Sequence, residues 1–389
     1  MLERARKIAG QITEWRRDFH MHPELGFHET RTAGRVAEAL NGLGYRVRTG
    51  VGRTGVVAEW GEGHPVVAIR ADMDALPIQE VNEVPYASQV PDVMHACGHD
   101  AHTAIALGVA TLLKEETFPG TVRFLFQPAE EIEDDEGLSG ASRMIEDGAI
   151  EGADYALALH VSSEIPTGDV ALRAGAASAG VDTFYATILG EGGHGAMPHT
   201  TIDPVYIATY VMQALYGIIS RRIPPTEPGV VTIGTIHGGN VDNVIPDQVA
   251  MTGTIRYNDA AVQERLHEEI TRAMDIARTM GGDYTLNIVV GYPPIVNNEG
   301  VVALLRDTAI KMLGSEHVRE AERLMGAEDF SFFAQHAPGA MFRLGALIEG
   351  DMRRHHNPRF DIDERCLPIG AAILAEAALR LLRGETAGA

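Results

Sequence analysis

Two cysteines in 389 residues, Cys97 and Cys366, far apart and in dissimilar contexts, make no disulfide framework. That scarcity fits a reducing compartment, and the expectation is a cytoplasmic protein. Long apolar runs are missing too, since nothing approaches the roughly 20 residues that span a bilayer. The N-terminus has no apolar signal core, and Arg16-Arg17 is followed by Asp18-Phe19-His20-Met21-His22-Pro23 instead of the hydrophobic stretch of a twin-arginine leader. Basic charge is short: 32 Lys and Arg stand against 54 Asp and Glu, net −22, with no basic patch. Nucleic acid and anionic membranes are therefore not expected as partners. Several enzyme signatures are absent as well. There is no H-E-x-x-H, no G-x-x-x-x-G-K-[ST] and no P-C-x-x-C of the zinc deaminases. Ala176-Ala177-Ser178-Ala179-Gly180 lacks the first glycine of a nucleophile elbow.

What is present is an ordinary globular composition, 45% hydrophobic and 22% charged, in a chain long enough for two domains. Leu2, Ala5, Ile8, Ile12, Trp15 and Phe19 recur at helical spacing, predicting one amphipathic helix over 2–19, and a second helix follows over 30–43. Strand and helix patterns then alternate: strands at 56–60, 66–70, 122–126 and 155–159, helices at 103–116 and 141–147. Such alternation predicts a largely parallel sheet flanked by helices. From about residue 181 the order becomes β-α-β-β-α-β, with strands at 183–189, 230–236, 249–257 and 284–290 and helices at 204–220 and 260–280. The first pattern resumes after Gly291-Tyr292-Pro293-Pro294 and closes with a helix over 369–383. The expected organisation is an α/β domain of residues 1–180 and 292–389, into which a smaller ferredoxin-like domain, 181–291, is inserted.

Chemistry collects at predicted strand ends, where parallel sheets hold their ligands. Strand 66–70 runs into Asp72-Met73-Asp74, strand 122–126 into Gln127-Pro128-Ala129-Glu130-Glu131, and strand 155–159 into His160. Between the first two lies His95-Ala96-Cys97-Gly98-His99-Asp100-Ala101-His102, where a Cys and a His two apart flank a glycine turn that opens a helix. A thiolate, imidazoles and carboxylates suit zinc or a similar divalent transition ion. Adjacent carboxylates suit such a centre: one binds the ion while its neighbour takes a proton from water that the ion acidifies. Singly, each residue has a plainer explanation. Asp72 and Asp74 fit turn-formers or caps, with a bracing role behind the ligands an equal alternative for Asp72. Glu130 and Glu131 open an acidic run whose remainder, Glu133 to Glu136, reads as a solvated loop. A lone histidine such as His160 is commonly a hydrogen-bonded core residue.

Taken in order, HPELGFHET (22–30), RADMDALPIQE (70–80), HACGHDAHTA (95–104), FQPAEE (126–131), GGHGAMPH (192–199), NVIPD (243–247), MGAEDFSFF (325–333) and HHNPRFDIDE (355–364) resemble the aminoacylase-type metallopeptidases along essentially the whole chain. The branch they most resemble is that of the hippurate hydrolases, indole-acetyl-amino-acid hydrolases and N-acyl-amino-acid amidohydrolases. The resemblance implies metal ligands at Cys97, His99, Glu131, His160 and His356, general-base chemistry at Glu130, and an orienting aspartate at Asp74. His356 is preferred to His355 because it stands two before Pro358, as in the motif. Other branches have a histidine where Asp72 stands. The resemblance further implies that His194 polarises the scissile carbonyl in a partner subunit's site, that Asn243 approaches the same carbonyl, and that Arg256 grips the substrate carboxylate. As plainer alternatives, His194 is a loop residue among glycines and Arg256 a solvent-facing strand arginine. Gly190-Glu191-Gly192-Gly193-His194-Gly195 spells a dinucleotide fingerprint, but Met197-Pro198 follows in place of a helix, which rules it out.

The expected protein is a hydrolase of N-acyl-L-amino acids that uses one or two divalent ions (Zn2+, Mn2+, Co2+ or Ni2+), with the inserted domain as lid and as the contact of a homodimer or higher homo-oligomer. A metallo-carboxypeptidase acting on small peptides and a catalytically idle acyl-amino-acid binder are the alternatives.

Overall fold

The computed structural model describes residues 1–385, which cluster into two compact units. The first comprises Met1–Gly175, Val296–Glu322 and the chain from Asp329 onward; the second comprises Ala176–Ile295 with Arg323–Glu328.

The first unit is built on an eight-stranded sheet. In chain order its first six strands are β1 (Arg46–Val51), β2 (Gly55–Glu62), β3 (Val66–Asp72), β4 (Gly120–Gln127), β5 (Tyr155–Pro166) and β6 (Val170–Leu172). Across the sheet the order is β1, β2, β4, β3, β5, then Gly339–Leu347, β6 and Val318–Glu320. The four central strands are mutually parallel, as the alternating pattern predicts. Antiparallel pairing appears on both flanks, because β1 and β2 form a hairpin too tightly joined for a crossover, and β2 then pairs antiparallel with β4. Every residue of β3 is buried, as expected of a strand covered on both faces. Its cover includes α4 (His99–Lys114) and the C-terminal helix Leu367–Leu382, which pack on each other and on the central strands.

Two expectations need correction here. The predicted N-terminal helix is broken at Ile8 into α1 (Leu2–Lys7) and α2 (Ala9–Met21), where the backbone leaves helical geometry two residues before Gly10. Strand β5 does not stop before His160 but runs on to Pro166, because its pairing with Gly339–Leu347 continues past that residue. A third helix, α3 (Thr30–Gly42), packs on β1 and β2.

The second unit follows the order strand, helix, strand, strand, helix, strand. Its antiparallel sheet has the spatial order Gly229–His237, Gln248–Tyr257, Gly180–Leu189, Asp283–Val290. Helix Pro204–Arg222 is capped by Asp203, whose Oδ1 accepts from Val205 N–H (2.8 Å) and Tyr206 N–H (3.2 Å). It packs with helix Ala260–Met274 on one face of the sheet. Burial alternates residue by residue along Gly180–Leu189 and Gln248–Tyr257, so the other face carries no helix layer. The helix expected over 260–280 is interrupted at Asp275, and Ile276–Thr279 forms a separate turn.

Candidate metal centre

Gly98 sets the geometry of the centre. It takes φ +93°, and a Cβ there would lie 2.4 Å from Val161 Cγ2, so only glycine lets the chain turn this sharply into α4. The turn leaves Cys97 and His99 buried side by side at the helix start. His99 Nδ1–H points at the Asp74 carbonyl (2.9 Å) and carboxylate (3.1 Å), which leaves the Nε2 lone pair buried and without a hydrogen-bond partner. His160 donates from Nδ1 to the Val161 carbonyl (2.7 Å), so its Nε2 faces Cys97 Sγ at 3.5 Å. Burial and the nearby His102 and His355 rings hold the His160 pKa well below the ordinary range, so this ring is neutral, as a ligand must be.

Glu131 and His356 complete the cluster. His356 Nε2 lies 3.0 Å from Glu131 Oε1, yet that buried oxygen makes no hydrogen bond of acceptable geometry. An imidazole nitrogen and a carboxylate oxygen this close are placed to share a cation. The His356 backbone is in the left-handed region (φ +56°), a conformation that persists for a non-glycine residue only where its surroundings impose it; its N–H is held by the Ala96 carbonyl at 2.8 Å. Of the adjacent pair, His355 instead stacks on Phe360 (4.8 Å) beside His160 (5.3 Å).

The donor atoms fall into overlapping triplets within 4.8 Å of one another: Cys97, His99 and His160; Cys97, Glu131 and His356; His99, Glu130 and Glu131. The first two share the Cys97 sulfur, an arrangement that fits a pair of ions. Burial and the Glu131 charge push the Cys97 thiol pKa up, so a cation is needed to draw out its thiolate. His99 Nε2, buried and without a hydrogen bond among the described residues, makes the same point, because a buried polar atom left unbonded is costly unless something binds it. The mixed sulfur, nitrogen and oxygen set suits zinc, manganese, cobalt or nickel.

A fourth triplet, Asp72, His99 and His102, is equally close together but has no capacity left. His102 donates to Asp72 Oδ1 (2.6 Å) and accepts the Val161 N–H (2.9 Å), while Asp72 Oδ2 is held by Arg70 (2.5 Å). Asp72 and His102 therefore brace the strands behind the centre. Asp74 does more, since besides orienting His99 its Oδ2 accepts the Glu131 N–H at 3.0 Å.

Sequence reasoning missed two buried arginines. Arg70, in the apolar run of β3, joins Asp72 to Gln127 (2.7 Å) and Asp329 (2.9 Å). Arg16 joins Asp100 (2.8 Å) and Asp361 (2.8 Å), tying together the segments that carry His99 and His356. A signal existed for both. An arginine inside a buried strand, or at helical spacing with Ile12 and Phe19, is rarely buried without carboxylate partners.

The second unit presents its residues differently. His194 lies exposed on a two-residue ribbon, paired through Val244, and its Nδ1 accepts the Ala196 N–H at 3.0 Å. The Asn243 carbonyl accepts the Gly195 N–H (2.8 Å), which places Asn243 beside His194. Arg256 is half-buried on the helix-free face of the sheet. His199, in the short Pro198–Thr200 turn, is exposed.

Comparison with known proteins agrees with this geometry. The chain is 42% identical over 398 residues to thermostable carboxypeptidase 2 of Saccharolobus solfataricus, covering 98% of each. It is 40% identical over 384 residues to the IAA-amino acid hydrolase ILR1-like 2 of Arabidopsis thaliana, covering 96% of this chain and 86% of the relative. The crystal structure of Bacillus subtilis YXEP protein, a dinuclear metal binding peptidase, superposes with a TM-score of 0.84 at 32% identity, covering 97% of this chain and 99% of that one. The model of peptidase family M20/M25/M40 matches residues 68–380. With that match over a cluster of donors suited to divalent ions, the protein belongs to peptidase family M20/M25/M40 and is a metal-dependent amide-bond hydrolase.

Proposed function

We propose that the chain hydrolyses N-acyl-L-amino acids, releasing a carboxylic acid and a free amino acid. The observation that carries the substrate class is Arg256. Its guanidinium is half-buried yet makes no hydrogen bond or salt bridge among the described residues, and burial lowers its pKa. A desolvated fork of this kind is suited to a carboxylate, here the free carboxylate next to the scissile amide.

Cys97, His99, His160, Glu131 and His356 would hold the ions, which when bound polarise the amide carbonyl and acidify a water. Glu130 is the general base. It takes the proton of the attacking water and returns it to the leaving nitrogen. His194 and Asn243 donate to the carbonyl oxygen as charge develops there. The second unit, ferredoxin-like in its strand order, acts as lid and dimer contact.

Its register supports a homodimer. Gln248 pairs with Leu189, just ahead of the His194 ribbon, whereas Arg256 lies at the far end of the same strand. Eight residues at about 3.3 Å each separate those ends by roughly 26 Å, too far for His194 and Arg256 of one chain to serve one small substrate. His194 and Asn243 are therefore assigned to the site of a second copy. Tyr206, Tyr210 and Tyr216 are about half exposed on helix Pro204–Arg222, an aromatic surface suited to the contact.

The test is hydrolysis of N-acetyl-Met, N-benzoyl-Gly, indole-acetyl-Ala and simple dipeptides by metal-stripped protein with and without zinc, manganese or cobalt. Metal-restored turnover of the acyl amino acids above that of the dipeptides is expected. The reverse preference would favour the carboxypeptidase reading, for which the Saccharolobus relative and the same Arg256 are the grounds.

A further inference from the structure

Glu130 follows a residue in an unfavourable backbone conformation. Ala129 has φ +43°, in the left-handed region, and is fully buried. A base placed by such a turn is only as well aimed as the turn is held. Three successive peptide groups around Glu130 are held, each by a different part of the chain. The Ala129 N–H donates to Glu29 Oε1 at 2.8 Å. The Ala129 carbonyl accepts the Gly140 N–H at 2.9 Å, an approach so close that a Cβ on Gly140 would lie 1.6 Å from the Pro128 oxygen. The Glu131 N–H donates to Asp74 at 3.0 Å. Of these anchors, Glu29 is the one whose role nothing above explains. It is a fully buried carboxyl, distant in sequence, whose other oxygen accepts from Thr54 Oγ1 (2.5 Å).

We propose that Glu29 is a positioning residue for the general base: by accepting the Ala129 N–H it fixes the strained turn that aims the Glu130 carboxylate. The required property is an acceptor oxygen at the right reach, not a charge. Glutamine meets that requirement, with its amide nitrogen donating to Thr54. Aspartate keeps the charge but is one methylene too short.

The inference rests on the reading of Glu130 as base, so Glu130→Ala is assayed beside Glu29→Gln, Glu29→Asp and Glu29→Ala. The substrate is whichever acyl amino acid of the panel is turned over fastest. Glu29→Asp and Glu29→Ala are expected to lower kcat about 100-fold, the scale of an ångström-level misplacement, with KM and metal content unchanged. Glu29→Gln should stay within about two-fold of the unsubstituted protein. Should Glu29→Ala fail to fold, the Asp and Gln pair still decides. An aspartate variant of full activity, or a glutamine variant as slow as the aspartate one, overturns the inference while the base reading stands. A Glu130→Ala protein that retains turnover overturns both.

Discussion

The metal cluster of the first unit and the residues of the second proposed to meet substrate are built on opposite plans. In the first, the donors are braced from behind: Asp74 holds His99, the Val161 carbonyl holds His160, and the Ala96 carbonyl fixes His356. The braces are themselves braced, as Arg70 grips Asp72 and Arg16 grips Asp100. In the second unit, His194 is exposed on a two-residue ribbon and the Arg256 side chain has no hydrogen bond or ion pair among the described residues. Ligands must meet at one point before substrate arrives, and rigidity there raises metal affinity. Groups that engage substrate only on closure need reach and mobility more than support.

The contrast predicts which substitutions cost metal and which cost only turnover. Glu130→Ala should have the largest effect on kcat, about 10²–10⁴-fold, with metal content retained, as read by steady-state kinetics beside elemental analysis. Asp74→Ala should weaken metal binding by about 10–100-fold in a chelator competition, because His99 loses its orienting acceptor. Arg256→Ala should raise KM about 10–100-fold, the worth of a lost charge-assisted bond, and leave metal affinity untouched. An Arg256 variant that lost metal would break the comparison.

The smallest effect concerns pH. Burial, with the nearby Asp74 charge, raises the Glu29 carboxyl from 4.5 to about 7. The folded chain thus holds this proton more tightly than the unfolded one, so the stabilisation is full below about 4.5 and is lost as pH rises through about 7. Thermal unfolding across that window should show a downward slope that is shallower in Glu29→Gln.

Much of the candidate metal cluster is legible in the sequence because parallel strands deliver their carboxyl ends to one place. Asp72, Asp74, Glu130 and Glu131 could be picked out from short patterns behind apolar runs. His160 was found for a reason the structure corrects, since it sits within β5 and not at its end. What stayed hidden depends on long-range pairing. Arg16 meets Asp361 across 345 residues, and Glu29 meets Ala129 across 100, with no local pattern to announce either. The helix breaks at Ile8 and Asp275 were hidden for the opposite reason: the apolar periodicity runs through both. The sequence assigns His102 no role, and the bonds on both of its ring nitrogens show that it braces Asp72 and Val161.

The proposed division of labour, with a braced cluster in one chain and residues lent to a second copy, is tested most directly by mixing two inactive chains. Glu130→Ala and His194→Ala proteins, each purified and confirmed slow, are co-refolded or co-expressed and assayed together. If His194 serves the partner's site, half of a random mixture is mixed dimer with one intact site of two, and activity returns to about a quarter of the unsubstituted protein. If each chain completes its own site, every site in the mixture keeps one lesion and activity stays at the level of the separate variants, which would contradict the account.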